Sequence, residues 1–129
     1  MARWMGDGCP RAFADGRGAW RQDGPGQEPW GMWWHEIEAV TGRHVEVATG
    51  EHVSIELESE WGDALELFDF WLGFGRVVRA IAAHLPGIRP GWLPEFRYWE
   101  PAHGSLRVWD RAERSAAADP ARRFASGIG

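Results

Sequence analysis

Lysine is absent from this chain, and all 14 basic residues are arginine. No single arginine can therefore be interpreted as selected over lysine for its planar guanidinium group. The chain also contains 17 glycines, 8 prolines and 10 tryptophans. This bias is typical of a GC-rich coding sequence, and we expect a bacterial or phage origin.

Cysteine and long apolar runs are almost as scarce. Cys9 is the only cysteine, so an internal disulfide is impossible, and a reducing compartment is favoured. The first residues, MARWMGDGCPRAFADG, lack the apolar region of a signal peptide. Because no run of about 18 uncharged apolar residues exists, the sequence predicts no membrane span and a cytoplasmic location.

Signatures of catalysis and of cofactor binding are also missing. The five histidines fit no zinc-binding spacing, and a cysteine pair is impossible. No serine lies in a G-x-S-x-G context, and no phosphate-binding glycine loop is present. We therefore expect no metal, no cofactor and no catalytic residues. The formal net charge of −5 argues against nucleic-acid binding, for which a basic domain is usual.

What remains is a chain of 129 residues, the size of one domain. Its patterns predict an α+β fold, in which an antiparallel sheet of about four strands is built from two hairpins. One long central helix packs on this sheet, and a short N-terminal helix precedes it. We expect a flexible arm with glycine, proline and tryptophan over residues 1–29, the domain over 30–111 and a tail over 112–129.

Two segments have apolar spacings of about 3.6 residues, which predict helices. In PWGMWWHEIEAVTG, Trp33, Ile37 and Val40 form one stripe, although a strand is the competing interpretation. In residues 63–85, DALELFDFWLGFGRVVRAIAAHL, a broad apolar stripe precedes Pro86 and Gly87, which end a helix.

The segment HVEVATGEHVSIELESE predicts the first hairpin. Its apolar residues alternate with polar ones, and a five-residue loop from Ala48 to His52 would keep them on one face. In that register Val47 faces Val53, and His44 lies opposite Glu56.

The segment FRYWEPAHGSLRVWDR predicts the second hairpin, and its two faces differ in chemistry. One face is ordinary core, whereas the other would expose tryptophan beside arginine, the residue types enriched at binding hot spots. Arg97 would oppose Arg107, and this repulsion needs a compensating contact. Either the tryptophan-containing arm covers this face or a partner does. The predicted partner-binding residues are Arg97, Trp99, Arg107 and Trp109.

Two further surfaces are candidates for binding. Residues 31–70 contain one arginine against eight glutamates and two aspartates. This excess could attract a basic partner, although a solvated sheet face is the plainer interpretation. The possible acidic surface comprises Glu46, Glu56, Glu58 and Glu60, and an alternative aromatic pocket would comprise Trp33, Trp34, His35 and Trp71.

These patterns favour a small non-enzymatic protein-binding module of the immunity, anti-defence or adaptor type. Such a module would occlude or scaffold a macromolecular partner. The alternative function is a small enzyme or a ligand-binding protein that uses the aromatic pocket. A homo-oligomer that buries the Trp/Arg face is a third possibility.

Overall fold

Two antiparallel sheets and one helix make up the part of the chain that the computed structural model describes, residues 10–88, 91–92 and 105–112. The elements in chain order are β1 (Arg11–Ala14), β2 (Gly18–Gln22), β3 (Trp30–Trp33), a 3-10 turn (Trp34–Glu36), β4 (Ile37–Val47), β5 (Gly50–Ser59), β6 (Ala64–Phe68), α1 (Phe74–His84) and β7 (Ser105–Asp110). The first three strands form one sheet, and the other four form the second.

The four-stranded sheet has the order β6-β5-β4-β7. Its inner face shows the period of two that half-buried strands require, since Ile55 and Leu57 of β5 lie beside Leu65 and Leu67 of β6. Register shifts interrupt β4 between Ile37 and Ala39 and its pairing with β7 near Val40. Each shift changes which side chains of a strand face the core.

The three-stranded sheet has the order β1-β2-β3. Ala12 and Ala19 are buried in β1 and β2, and Met32 of β3 lies opposite Ala19. At the edge of this sheet, the Ala12 N–H of β1 donates to the Leu72 carbonyl at 2.9 Å, which connects β1 to the segment before α1. Small inner residues thus bring this sheet close to the segment that leads into α1.

Helix α1 begins after Gly73, whose φ of 88° lies in the left-handed region. A Cβ at this position would lie 2.0 Å from the Ala12 carbonyl oxygen, so glycine meets both a conformational and a steric demand. The helix buries Phe74, Val77 and Ile81 in a single core cluster that contains residues of both sheets.

The predicted fold class is wrong: the described residues are mostly sheet, and one helix of 11 residues, Phe74–His84, packs with them. Residues 64–68 of the predicted long helix form β6, because Leu65 and Leu67 follow the strand period. The left-handed backbone at Gly73 then prevents one helix from continuing through the segment. Within the predicted helix of residues 63–85, the helical part is Phe74–His84.

The predicted N-terminal helix is also wrong. Residues 30–41 contain β3, one 3-10 turn and the start of β4, so the competing strand interpretation was nearer to the structure. Residues 11–22, expected within a flexible arm, contain β1 and β2. Most of the predicted tail and residues 96–104 of the second hairpin lie outside the described residues.

The first hairpin does form, but with a different register. Ala48 and Thr49 make a two-residue connection, and Val47 pairs with Gly50 rather than with Val53. His44 therefore lies opposite Val53 and not opposite Glu56. The predicted register placed Val45 and Val47 on the core face. It failed because the shift after Ile37 instead directs Val40 and Gly42 to that face.

Candidate functional site: an acidic tryptophan cleft

A cleft of about 460 Å³ lies between the beginning of β4 and the turn that joins β5 to β6. One wall comes from the end of β3 and the 3-10 turn, and the other comes from the β5–β6 turn. The lining residues are Trp33, His35, Glu36, Glu38, Glu60 and Trp61. Two tryptophans and three carboxylates thus share one concave surface.

The first wall is positioned by a buried neighbour, Trp34. Its indole N–H donates to the Asp15 carbonyl at 2.9 Å, and its ring stacks on His84 with centroids 4.7 Å apart. With Trp34 fixed in the interior, the residues on either side remain at the surface. Trp33 keeps 43% of its surface exposed, and its ring lies 6.0 Å from that of His35.

A carboxylate fixes the backbone of the same turn. The Trp33 N–H donates to Glu36 Oε1 at 2.9 Å. This hydrogen bond lets the Glu36 carboxylate orient the turn. Because Glu36 also lines the cleft, it contributes negative charge to the binding surface. The turn is short, so this side-chain bond satisfies one of the backbone donors that a 3-10 turn leaves open.

The second wall is a turn organised by Ser59. The Ser59 hydroxyl accepts hydrogen bonds from the backbone N–H groups of Trp61 and Asp63, each at 3.2 Å. Gly62 supplies the positive φ of 91° that the turn needs. Trp61 stands at the turn with 76% of its surface exposed. A large aromatic side chain is thus presented to solvent from a well-bonded turn.

The charge of the cleft is only partly compensated within the described residues. Glu38 Oε1 lies 3.8 Å from Arg111 Nε, a loose ion pair. Glu60 is exposed at the other wall, and Glu36 faces the same space. Because Glu36, Glu38 and Glu60 converge beside two indole rings, the arrangement can attract a cation and provide aromatic faces for it.

Of the four predicted partner-binding residues, the structure describes Arg107 and Trp109, and these two do not share a surface. Arg97 and Trp99 lie outside the described residues. Arg107 is exposed on the outer face of the four-stranded sheet, where its Nη2 lies 3.3 Å from Glu58 Oε2. Trp109 is only 2% exposed, and its indole N–H donates to the Pro86 carbonyl at 2.8 Å.

A β-bulge explains why Arg107 and Trp109 separate. Trp109 pairs with Val40, and Arg107 pairs with the next residue, Thr41, so Val108 is the extra residue. In a regular strand residues two apart share a face, but the bulge directs Trp109 into the core. The assignment of Trp109 as an exposed contact residue is therefore corrected.

The predicted acidic surface is divided among three places. Glu56 forms an ion pair with Arg43, with 3.6 Å between Glu56 Oε2 and Arg43 Nη2. Glu58 accepts from the Thr41 hydroxyl at 3.0 Å and pairs with Arg107. Glu46 is exposed at the far end of the hairpin. Of the four predicted glutamates, the structure places Glu60 in the cleft.

The predicted aromatic pocket is half present. Trp33 and His35 line the cleft together. Trp34 and Trp71 are buried elsewhere, Trp34 on His84 and Trp71 against Phe68, with ring centroids 5.2 Å apart. Trp61 was not among the predicted site residues. Its signal in the sequence is its position between Glu60 and Gly62 in a polar turn, where no apolar periodicity explains a tryptophan.

A hydroxyl–imidazole–carboxylate chain occurs at the opposite end of the hairpin. Thr49 Oγ1 lies 2.9 Å from His52 Nε2, and His52 Nδ1 lies 2.9 Å from Asp69 Oδ1. Hydrolases use this order, but they also need oxyanion donors and a substrate site. Asp69 also accepts from the Val53 N–H at 3.2 Å, so these hydrogen bonds connect the end of the β4–β5 hairpin to the segment after β6.

Two negative findings apply to residues 10–88, 91–92 and 105–112. No group of three or more histidine, cysteine, aspartate or glutamate side chains is placed to hold a metal ion. The helix in this part of the chain is too short and too polar to cross a bilayer.

In comparisons with known proteins, no family model, curated protein or solved structure matches this chain.

Proposed function

We propose that this chain is a protein-binding module and that the cleft between Trp33 and Trp61 is its contact site. The supporting observation is the placement of two exposed tryptophans in one concave surface, at 43% and 76% exposure. Tryptophan is enriched at interface hot spots, and exposed aromatic surface on a small protein usually marks contact with another molecule. The module would act by occluding or scaffolding its partner.

The single cysteine, Cys9, supports a reducing compartment, and we include a cytoplasmic location in this proposal. A ligand-binding protein is the second candidate function. The cleft volume of about 460 Å³ favours it, since small-molecule sites usually have volumes of roughly 300–1,000 Å³. Both candidates use Trp33 and His35.

Affinity capture with matched tryptophan variants tests the protein-binding proposal. The bait proteins are the wild type, the double variant Trp33→Ala/Trp61→Ala and the control Trp30→Ala. Trp30 is 44% exposed, close to the value for Trp33, but it does not line the cleft. We expect a partner that the wild type and the control retain and that the double variant loses.

Circular dichroism and thermal unfolding of the double variant establish that the fold is intact. Equal capture by the double variant and the wild type would contradict a contact site in the cleft. Loss of capture in the Trp30→Ala control would contradict it as well, because general loss of exposed aromatic surface would then account for the result.

A further inference from the structure

Arginine, tryptophan and a carboxylate occur together repeatedly in this structure. The Arg17 guanidinium lies 5.6 Å from the Trp20 ring and 3.1 Å from Asp15 Oδ2. The Arg111 guanidinium lies 5.0 Å from the Trp109 ring, and its Nε lies 3.8 Å from Glu38. In both cases the indole face and the carboxylate contact the same cation.

Arg21 shows the most complete version of this arrangement. Its guanidinium lies 4.5 Å from the Trp71 ring and 5.2 Å from the Trp30 ring. It also forms an ion pair with Asp23 and donates to the Glu66 carbonyl at 2.9 Å. The flat guanidinium group can stack on indole and bond to a carboxylate at the same time, which a lysine ammonium does less well.

The cleft presents the same two components on a larger scale. Trp33 and Trp61 provide indole faces, and Glu36 and Glu60 provide carboxylates. Among the described residues, none that lines the cleft is an arginine. We infer that the cleft binds an arginine side chain that a partner protein presents, with the guanidinium group against indole and paired with a carboxylate.

This inference rests on the proposed function and adds the chemistry of the ligand. The charge of the chain supports it, since residues 31–70 hold ten acidic residues and one arginine. Such an excess attracts a basic segment and accelerates its association at low ionic strength. The same surface would repel an acidic ligand and would not accelerate the association of a neutral one.

The test uses short blocked peptides of glycine with two central arginines, two lysines or two citrullines. Citrulline keeps the shape of arginine and removes the charge. Binding is followed by NMR through the indole N–H resonances of the full chain at peptide concentrations up to about 10 mM, above the dissociation constants of weak contacts. We expect the arginine peptide to shift the Trp33 and Trp61 resonances and to leave that of Trp30 in place.

The expected order of affinity is arginine, lysine, citrulline. The citrulline peptide should bind about tenfold more weakly than the arginine peptide, as a cation–π contact with a charged pair predicts. Trp61→Ala should cost a similar factor. Glu60→Gln should weaken binding about threefold, whereas Glu46→Gln, the same change of charge at the distant hairpin end, should leave it unchanged.

Three outcomes would overturn the inference. Equal binding of the citrulline and arginine peptides would mean that the cleft does not recognise a cation, and absence of indole shifts at the highest concentration would mean the same. Self-association of the chain that Trp61→Ala abolishes would identify a second copy as the occupant. In the first two cases the proposed function still stands if capture of a partner depends on Trp33 and Trp61.

Discussion

The three-stranded and four-stranded sheets are both antiparallel, but their inner faces are filled differently. The four-stranded sheet buries large branched side chains completely, namely Val40, Ile55, Leu57, Leu65 and Leu67. The three-stranded sheet buries Ala12 and Ala19, and Met32 is its largest core residue. Apolar area stabilises the first sheet. Close backbone approach and polar contacts contribute relatively more to the second.

Polar contacts in the three-stranded sheet are concentrated at its turns. Asp15 accepts from the backbone N–H groups of Arg17 at 2.8 Å and Gly18 at 3.1 Å. Arg21 connects this sheet to the other through the Glu66 carbonyl. The comparison therefore predicts that the two sheets respond to different perturbations: loss of apolar volume in one, and added volume or loss of charge in the other.

Trp109→Ala should have the largest effect on stability. Trp109 is 2% exposed in the core of the four-stranded sheet, and truncation of a buried aromatic residue leaves a cavity. We expect the free energy of unfolding to fall by about 3–5 kcal/mol, measured by urea denaturation. Trp61→Ala, at 76% exposure, should change it by less than about 0.5 kcal/mol. Similar losses in the two variants would contradict the division into core and surface tryptophans.

Gly31→Ala should have the next largest effect and should act on the three-stranded sheet. A Cβ on Gly31 would lie 2.0 Å from the Ala19 carbonyl oxygen and 2.7 Å from the Trp20 Cα, so the backbone must move. We expect a loss of about 1–3 kcal/mol in urea denaturation, the usual cost of overpacking. Gly16→Ala is the control, since no atom lies within 4 Å of its Cβ position. Equal stability of the two variants would show that β2 and β3 have room to separate.

The same contrast explains how much of the fold could be predicted from the sequence. The hairpin of β4 and β5 was visible because Ile55 and Leu57 alternate with glutamates. The three-stranded sheet could not be recognised, because β1 and β2 bury the small residues Ala12 and Ala19, which show no apolar periodicity. Glycine is also common in flexible segments, so the sequence of β1 and β2 is similar to that of a flexible arm.

Register and side-chain direction could not be predicted, because single extra residues reverse the alternation. The bulge at Val108 separates Arg107 from Trp109, and the shift after Ile37 moves Val45 off the inner face. A sequence pattern contains the period of two but not the position at which the period is interrupted. Two of the residues proposed for binding were therefore placed on one face incorrectly.

The candidate site was predictable only in parts. Trp33 and His35 belong to the predicted aromatic pocket and Glu60 to the predicted acidic surface, and no sequence pattern connects the two. The cleft joins two turns that lie far apart in sequence, and the pairing of β4 with β5 is what brings Trp61 opposite Trp33. The composition of this site depends on strand register, and it could not be predicted because the register was predicted wrongly.

The smallest expected effect concerns acid, and it should act on the three-stranded sheet. Hydrogen bonds from the Arg17 backbone, and then from the Arg17 side chain, the Gly18 backbone and the Trp20 indole, lower the pKa of Asp15 from 3.8 to about 2. Because the pKa is lower in the folded state, the ionised carboxylate stabilises the fold above the unfolded value of 3.8. That contribution is lost as the pH falls toward 2.

Asp15→Asn should therefore make the midpoint of thermal unfolding less dependent on pH between 4 and 2. The wild type should lose stability more steeply than the variant across this interval, and the two slopes should agree above it. Asp23 provides an independent repeat, since hydrogen bonds from the Trp30 indole and the Arg21 guanidinium also lower its pKa. If Asp15→Asn and the wild type show the same slope below pH 4, the carboxylate does not stabilise the β1–β2 turn. The three-stranded sheet would then depend on backbone packing at Gly31 rather than on charge at its turns.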